Sequence, residues 1–186
     1  MTLRALGLVH YPVLDRGGEI VTTAITNLDL HDMARSARTY GVEDLWVVHP
    51  IAAQRLLAER IRSHWVSGSG KKRIPDRSVA IELLRIVPSL EDMYTAIAGP
   101  AGRRGLTIWT TAASARSGPV TSYAAARPLL EQAPLPVVIL FGTGWGLAKQ
   151  IVEDADLRLE PIRGGSDYNH LSVRAACAIT LDRLLG

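Results

Sequence analysis

Hydrophobic and polar positions along this chain fall into blocks that switch between a strand period and a helix period. Leu3 to Tyr11 is mostly apolar and closed by Pro12, which predicts a first strand; Asp15 to Glu19, with Gly17-Gly18, predicts a turn. Leu28 to Tyr40 predicts a helix, with Asp29 and Asp32 in its first turn, Arg35 and Arg38 later, and Gly41 at its end. Leu45 to Val48 reads as a short buried strand. Pro50 then opens a helix to about Trp65, on which Leu57, Ile61 and Trp65 recur every four residues as one apolar stripe. Val66 to Asp76 reads as a loop, followed by a short helical stretch and a strand over Leu84 to Val87. Ser89, with Asp92 three residues later, caps a helix to about Ala98. Leu106 to Thr110 is a predicted strand, Tyr123 to Gln132 a helix, and Val137 to Phe141 a very apolar strand. A helix or turn follows Gly146, then a strand near Leu157 to Glu160 and a long helix from about Tyr168 to Leu185.

Strands alternating with helices, some of them continuously apolar, predict an α/β fold: a mostly parallel sheet flanked by helices on both faces. At 186 residues the chain fits a single domain, 1–186. Ligands in such folds bind beyond the C-terminal ends of the strands, which directs attention to the residues after Thr110, Phe141 and Glu160.

Composition narrows the class. Apolar residues make up 47% of the chain, a globular value, and no apolar run approaches the ~18 residues that span a bilayer. Met1 to Leu8 carries one charge and no signal-peptide pattern, so a soluble cytoplasmic protein without a membrane segment is expected. The one cysteine, Cys177, forms no internal disulfide and reads as buried filler in an Ala-rich helix. Five histidines are scattered singly, so no metal site is expected. The net charge is +3, but Arg55 to Arg77 alone carries +5. That concentration suits a polyanion; a solvated surface is an equal reading from charge alone.

Three loops carry the candidate chemistry. Thr110-Thr111-Ala112 opens a run of small and hydroxylated residues reaching Gly118. Gly142-Thr143-Gly144-Trp145-Gly146 places three glycines at alternate positions, allowing close backbone approach. Its G-x-G-x-G spacing is not the G-x-G-x-x-G dinucleotide fingerprint, and too little chain follows it for a second nucleotide-binding half. A backbone-lined nucleoside pocket is the better reading. The third loop, Pro161 to Ser172, contains Gly164-Gly165 and a polar cluster larger than a helix cap needs.

Taken together these strings resemble a known family. Leu140-Phe141-Gly-Thr-Gly-Trp-Gly-Leu147, then Leu159-Glu-Pro-Ile162, then Ser166-Asp-Tyr-Asn-His-Leu-Ser-Val-Arg-Ala-Ala176 are similar to the SPOUT class of RNA methyltransferases, closest to its small stand-alone members. Thr26 to Gly41 resembles the first motif of that class, and the likeness runs from His10-Tyr11-Pro12 to the C-terminus. The resemblance implies a C-terminal deep trefoil knot, a homodimer formed near it, and S-adenosyl-L-methionine (SAM) bent into the knotted loops. The implied cofactor contacts are Thr110, Thr111, Ala112, Leu140, Phe141, Gly142, Thr143, Gly144, Gly146, Ile162, Asn169, His170, Leu171 and Ser172. The 2′-O-methylating branch usually has a Glu in the second motif and Asn-x-Gly in the first; this chain has Thr143-Gly144-Trp145 and Asn27-Leu28-Asp29.

The activity implied is methyl transfer from SAM to RNA, a tRNA or an rRNA, and the activated methyl requires no metal. Arg35, matching the first-motif Arg, is the candidate for orienting the acceptor or a phosphate, with a helix-surface arginine as the rival reading. Asp167 is a candidate base or a helix N-terminal carboxylate. Asn27 shapes the pocket. For RNA binding the candidates are Arg60, Arg62, Lys71, Lys72 and Arg73. Two rival functions stand beside this one: a dimeric RNA-binding protein that retains a SAM pocket without catalysis, and a small-molecule methyltransferase.

Overall fold

The computed structural model describes residues 3–111 and 119–186. Its elements in chain order are β1 (Leu3–Val9), β2 (Val13–Leu14), β3 (Ile20–Val21), α1 (Asn27–Thr39), β4 (Asp44–Val48), α2 (Ala52–Val66), α3 (Ser69–Arg73), α4 (Pro75–Ile81), β5 (Leu84–Val87), α5 (Leu90–Ala98), a 3-10 turn (Gly99–Gly105), β6 (Thr107–Thr111), α6 (Tyr123–Gln132), β7 (Val137–Gly142), α7 (Lys149–Glu153), β8 (Leu157–Leu159) and α8 (Val173–Leu185).

Six strands form one sheet in the order β5-β4-β1-β7-β6-β8, and every pairing is parallel. The predicted α/β architecture is the observed one. Alternation of side chains on the two central strands explains why both faces are covered. Leu6 and Leu8 of β1, with Val137, Ile139 and Phe141 of β7, pack under α1, α6 and α8. Ala5 and Val9, with Val138 and Leu140, pack on the other face against Met93 and Tyr94 of α5. Trp109, Phe141, Leu30 and Met33 are fully buried, and each such side chain stabilises the fold by roughly 1.5–3 kcal/mol relative to exposure. Gly7 faces Leu140: a Cβ there would meet Leu140 Cδ2 at 2.6 Å.

Four local expectations are corrected. The C-terminal helix starts at Val173, not near Tyr168. Ser172 caps it, its Oγ accepting from Ala175 N at 3.3 Å, and the buried stripe of Cys177, Leu181 and Leu184 begins only beyond that cap. Residues 161–172 are irregular chain. Within the predicted loop Val66 to Asp76 lies a helical turn, α3, because Gly70 packs on Trp65, where a Cβ would come within 2.7 Å of the ring. On α2 the buried residue is Ala58, whereas Leu57 is 42% exposed; the inward stripe is Ala58, Ile61 and Trp65. The turn at Asp15 to Glu19 belongs to a two-stranded antiparallel hairpin, β2–β3, too short for its period to show in the sequence.

Cys177 is buried in the core, and burial pushes its thiol up to about 12. No helix among the described residues is long and apolar enough to cross a membrane.

Candidate active site

The C-terminal ends of β6 and β7 meet the first turns of α1 and α8 around one cleft of about 670 Å³, within the ~300–1,000 Å³ of small-molecule pockets. Its floor is Phe141 and Gly142. One wall is the glycine loop after β7, and the other is the chain from Asn169 to Ser172 leading into α8.

The glycine loop owes its shape to contacts that leave no room for side chains. A Cβ on Gly142 would lie 2.5 Å from Leu147 N and 2.8 Å from Gly146 C. Gly144 has φ +59, and a Cβ there would meet Leu14 O at 2.8 Å. The hairpin β2–β3 braces the loop: Trp145 N donates to Leu14 O at 2.9 Å, and Leu14 N donates to Gly146 O at 2.9 Å. The loop is therefore held in one tight conformation, with Gly142, Gly144 and Gly146 lining the cleft.

Behind this loop lies a hydrogen-bond network. Ile51 N donates to His49 Nδ1 at 3.1 Å, so His49 carries its proton on Nε2 and donates it to Thr23 O at 2.9 Å. Thr143 Oγ1 donates to Val9 O at 3.2 Å. Thr143 must then accept the short bond from the Thr23 hydroxyl, and Thr23 in turn accepts from His10 Nδ1 at 3.0 Å. His10 is thereby fixed as the neutral Nδ1–H tautomer, its Nε2 buried and without a partner among the described residues. Burial, with the adjacent His49, pushes the His10 pKa down to about 4. Two histidines that stand alone in the sequence thus meet through Thr23 and hold Thr143 of the glycine loop. Each directly follows an observed strand, β1 or β4; the adjacency of those strands is the information the sequence does not carry.

A second polar cluster forms the α1–α8 wall. Thr26 caps α1, accepting from Asp29 N at 3.2 Å and donating to Asp29 Oδ2 at 2.6 Å. Arg174, in the first turn of α8, donates from Nη1 to Asp29 Oδ1 at 3.0 Å and pairs through Nε with Asp32 at 3.4 Å. Asp29 is buried, and it and Arg174 both line the cleft. Among the described residues Asp29 is the one carboxylate in that lining. It stands at the position where the resemblance to the 2′-O-methylating branch leads one to expect Gly. Sequence reasoning saw Asp29 only as a first-turn acid and did not single out Arg174.

The other predicted residues divide clearly. Thr111, Phe141, Gly142, Thr143, Gly144, Gly146, Ile162, Asn169, His170, Leu171 and Ser172 are brought together in the cleft lining. Thr110 and Leu140 lie fully buried behind it, Thr110 with its hydroxyl unpartnered among the described residues. Ala112 falls outside the described residues. Asn27 and Arg35 are exposed on α1, and Asp167 is exposed on the loop before α8; none of the three is in the cleft lining. Arg60, Lys71, Lys72 and Arg73 are exposed, whereas Arg62 is half-buried and donates from Nε to Leu84 O at 3.1 Å.

A family model described as SAM-dependent RNA methyltransferase matches residues 4–186. The chain belongs to that family. An uncharacterized protein of Aquifex aeolicus is 40% identical over 180 residues, covering 96% of this chain and 86% of its own length. A tRNA (guanine-N(1)-)-methyltransferase of Nitratidesulfovibrio vulgaris is 41% identical over 179 residues, covering 96% of this chain but 41% of its own length. The chain thus spans less than half of that relative. Among solved structures, a methylase family protein of Neisseria gonorrhoeae has a TM-score of 0.64 at 18% identity, covering 99% of this chain and 81% of its own. The A. aeolicus TrmH/SpoU tRNA modifying enzyme has a TM-score of 0.58 at 16% identity, covering 99% and 74%. At these identities the neighbours show a shared SPOUT fold. Family membership brings the cofactor and the chemistry: this RNA methyltransferase uses SAM.

Proposed function

We propose that this SAM-dependent RNA methyltransferase acts on tRNA, with rRNA as the alternative substrate. The observation that carries the reading is the convergence of the glycine loop after β7, Thr111 at the end of β6 and the chain entering α8 on one nucleoside-sized cleft, with Asp29 the one carboxylate in its wall among the described residues. Support for tRNA comes from a relative named tRNA (guanine-N(1)-)-methyltransferase and a structural neighbour titled a tRNA modifying enzyme. More than half of that relative lies outside the match, so the base position in its name is not carried over.

Gly142 to Gly146 and Asn169 to Ser172 would hold SAM through their backbones, with Thr111, Ile162 and Phe141 around it and Thr110 and Leu140 behind; Ala112 joins the proposed contacts on the family resemblance alone. When bound, SAM supplies a methyl on a sulfonium, activated without a metal. The chain's task is to hold the acceptor in line and remove its proton. Asp29, fixed by Thr26 and Arg174, takes the proton in this scheme, and Asp167 is the alternative base on the outer loop. Arg35 and Asn27, exposed on α1, orient the RNA. Arg60, Lys71, Lys72 and Arg73, with the free end of Arg62, bind its phosphates. A homodimer, a threaded trefoil-knotted C-terminal segment, a single domain and a cytoplasmic location complete the proposal.

Transfer of labelled methyl from SAM to purified tRNA and rRNA fractions tests it. Label in tRNA is expected; label in neither fraction would overturn it, and SAM binding without transfer would point to the non-catalytic alternative.

A further inference from the structure

Three aromatic rings stand in series at the cleft mouth. Trp145 of the glycine loop meets His170 edge-to-face, with centroids 5.1 Å apart and planes at 74°. His170 meets Tyr168 at 5.4 Å and 64°. Trp145 is 49% exposed and Tyr168 74% exposed, while Trp145 and His170 line the cleft. The other tryptophans are unlike Trp145: Trp46 and Trp109 are buried, and Trp65 is half-buried with Arg77 over its ring at 4.8 Å. Trp145 is not on a loose tip. Its N–H is bonded to Leu14 O, and it sits between Gly144 and Gly146, both at positive φ. The backbone therefore presents this ring to water by construction, and contiguous exposed rings mark an interaction site.

We infer that Trp145, His170 and Tyr168 form a stacking platform for an unpaired nucleobase of the RNA substrate. The inference rests on the proposed RNA methylation and specifies how the acceptor is presented. A base inside a helix cannot reach a methyl held in a cleft, so it must leave its stack. Aromatic side chains replace the stacking it loses. The rings are continuous with the lining that contains Asp29 and Arg174, so a base seated on them stands at the entrance to the proton acceptor. Stacking is indifferent to base identity, which leaves Asp29 and Arg174, an acceptor beside a donor, to read the base edge.

The test is titration of the full chain with an end-labelled single-stranded RNA hexamer, read by anisotropy. Calorimetric SAM titration and sedimentation accompany it. Tyr168→Ala and Trp145→Ala are each expected to weaken hexamer binding about tenfold, Tyr168→Ala without change in SAM affinity or oligomeric state. Trp145→Phe, which keeps a ring, should retain most of the binding. Unchanged hexamer affinity in Tyr168→Ala and Trp145→Ala would overturn the platform. So would a loss that follows SAM affinity, assigning the rings to the cofactor, or one that follows the dimer fraction, assigning them to a subunit interface. A wild-type chain that methylates RNA while both alanine variants bind it normally refutes only the platform; a wild-type chain that methylates no RNA refutes the function on which it rests.

Discussion

Acidification offers a quantitative check on the network behind the glycine loop. His10 is fully buried and its pKa is lowered to about 4, against an unfolded value of about 6.5. Above pH 6.5 the ring is neutral in both states and the shift has no effect on stability. Between pH 6.5 and 4 the unfolded chain binds a proton that the native chain refuses, so stability falls as pH falls. One proton is worth about 1.4 kcal/mol per pH unit, so His10 alone should remove roughly 2–3 kcal/mol between pH 7 and pH 4.5. His49 is lowered in the same direction by burial and adds to the trend. The assay is urea unfolding at half-unit pH steps for wild type and His10→Asn, whose amide stands near the place of Nδ1, can donate to Thr23 and does not titrate. Subtracting the two curves cancels most of the carboxylates. The stability difference should change steadily with pH below 6.5; parallel curves would refute the buried neutral tautomer and the proton assignment along Thr23 and Thr143.

Other outcomes follow from single contacts. Asp29→Asn should lower the methylation rate about a hundredfold or more while SAM still binds in a calorimeter; an unchanged rate would remove Asp29 as the proton acceptor. Gly144→Ala forces a side chain to positive φ against Leu14 O and should cost about 1–2 kcal/mol in urea unfolding from the backbone alone. Charge reversal across Lys71 to Arg73 should weaken RNA binding and flatten its salt dependence, and the salt slope of the variant is the measurement. Cys177, buried and with its thiol pushed up to about 12, should react with a thiol reagent at pH 8 only as fast as the chain opens.

The sequence made the sheet and the cleft-lining loops readable for a physical reason. Val137 to Phe141 is continuously apolar because both of its faces are covered, and the glycines that follow answer backbone contacts too close for any Cβ. Local spacing carries that kind of information. It does not carry which strands are neighbours, so the His10–Thr23–His49 network, drawn from three separate segments, was invisible. The Asp29–Arg174 pair was hidden for the same reason: its partners lie 145 residues apart. Asp29 looked like a helix-start acid, and it is one, but capping by Thr26 also aims its carboxylate at α8. The helix boundary at Val173 was missed because the polar loop before it contains residues tolerated in a first turn; Ser172, the actual cap, sits in the middle of the resemblance string.

We propose the glycine loop, Gly142 to Gly146, as the SAM site, and every other role rests on that placement. Calorimetric titration of SAM into wild type and Gly142→Ala is the most direct measurement, because the added methyl would press within 2.5 Å of Leu147 N and force the loop to shift. Saturable binding of one SAM per chain to wild type, weakened more than about tenfold by Gly142→Ala, is the predicted result. Absence of SAM binding to wild type, or equal affinity in a folded Gly142→Ala, would contradict it.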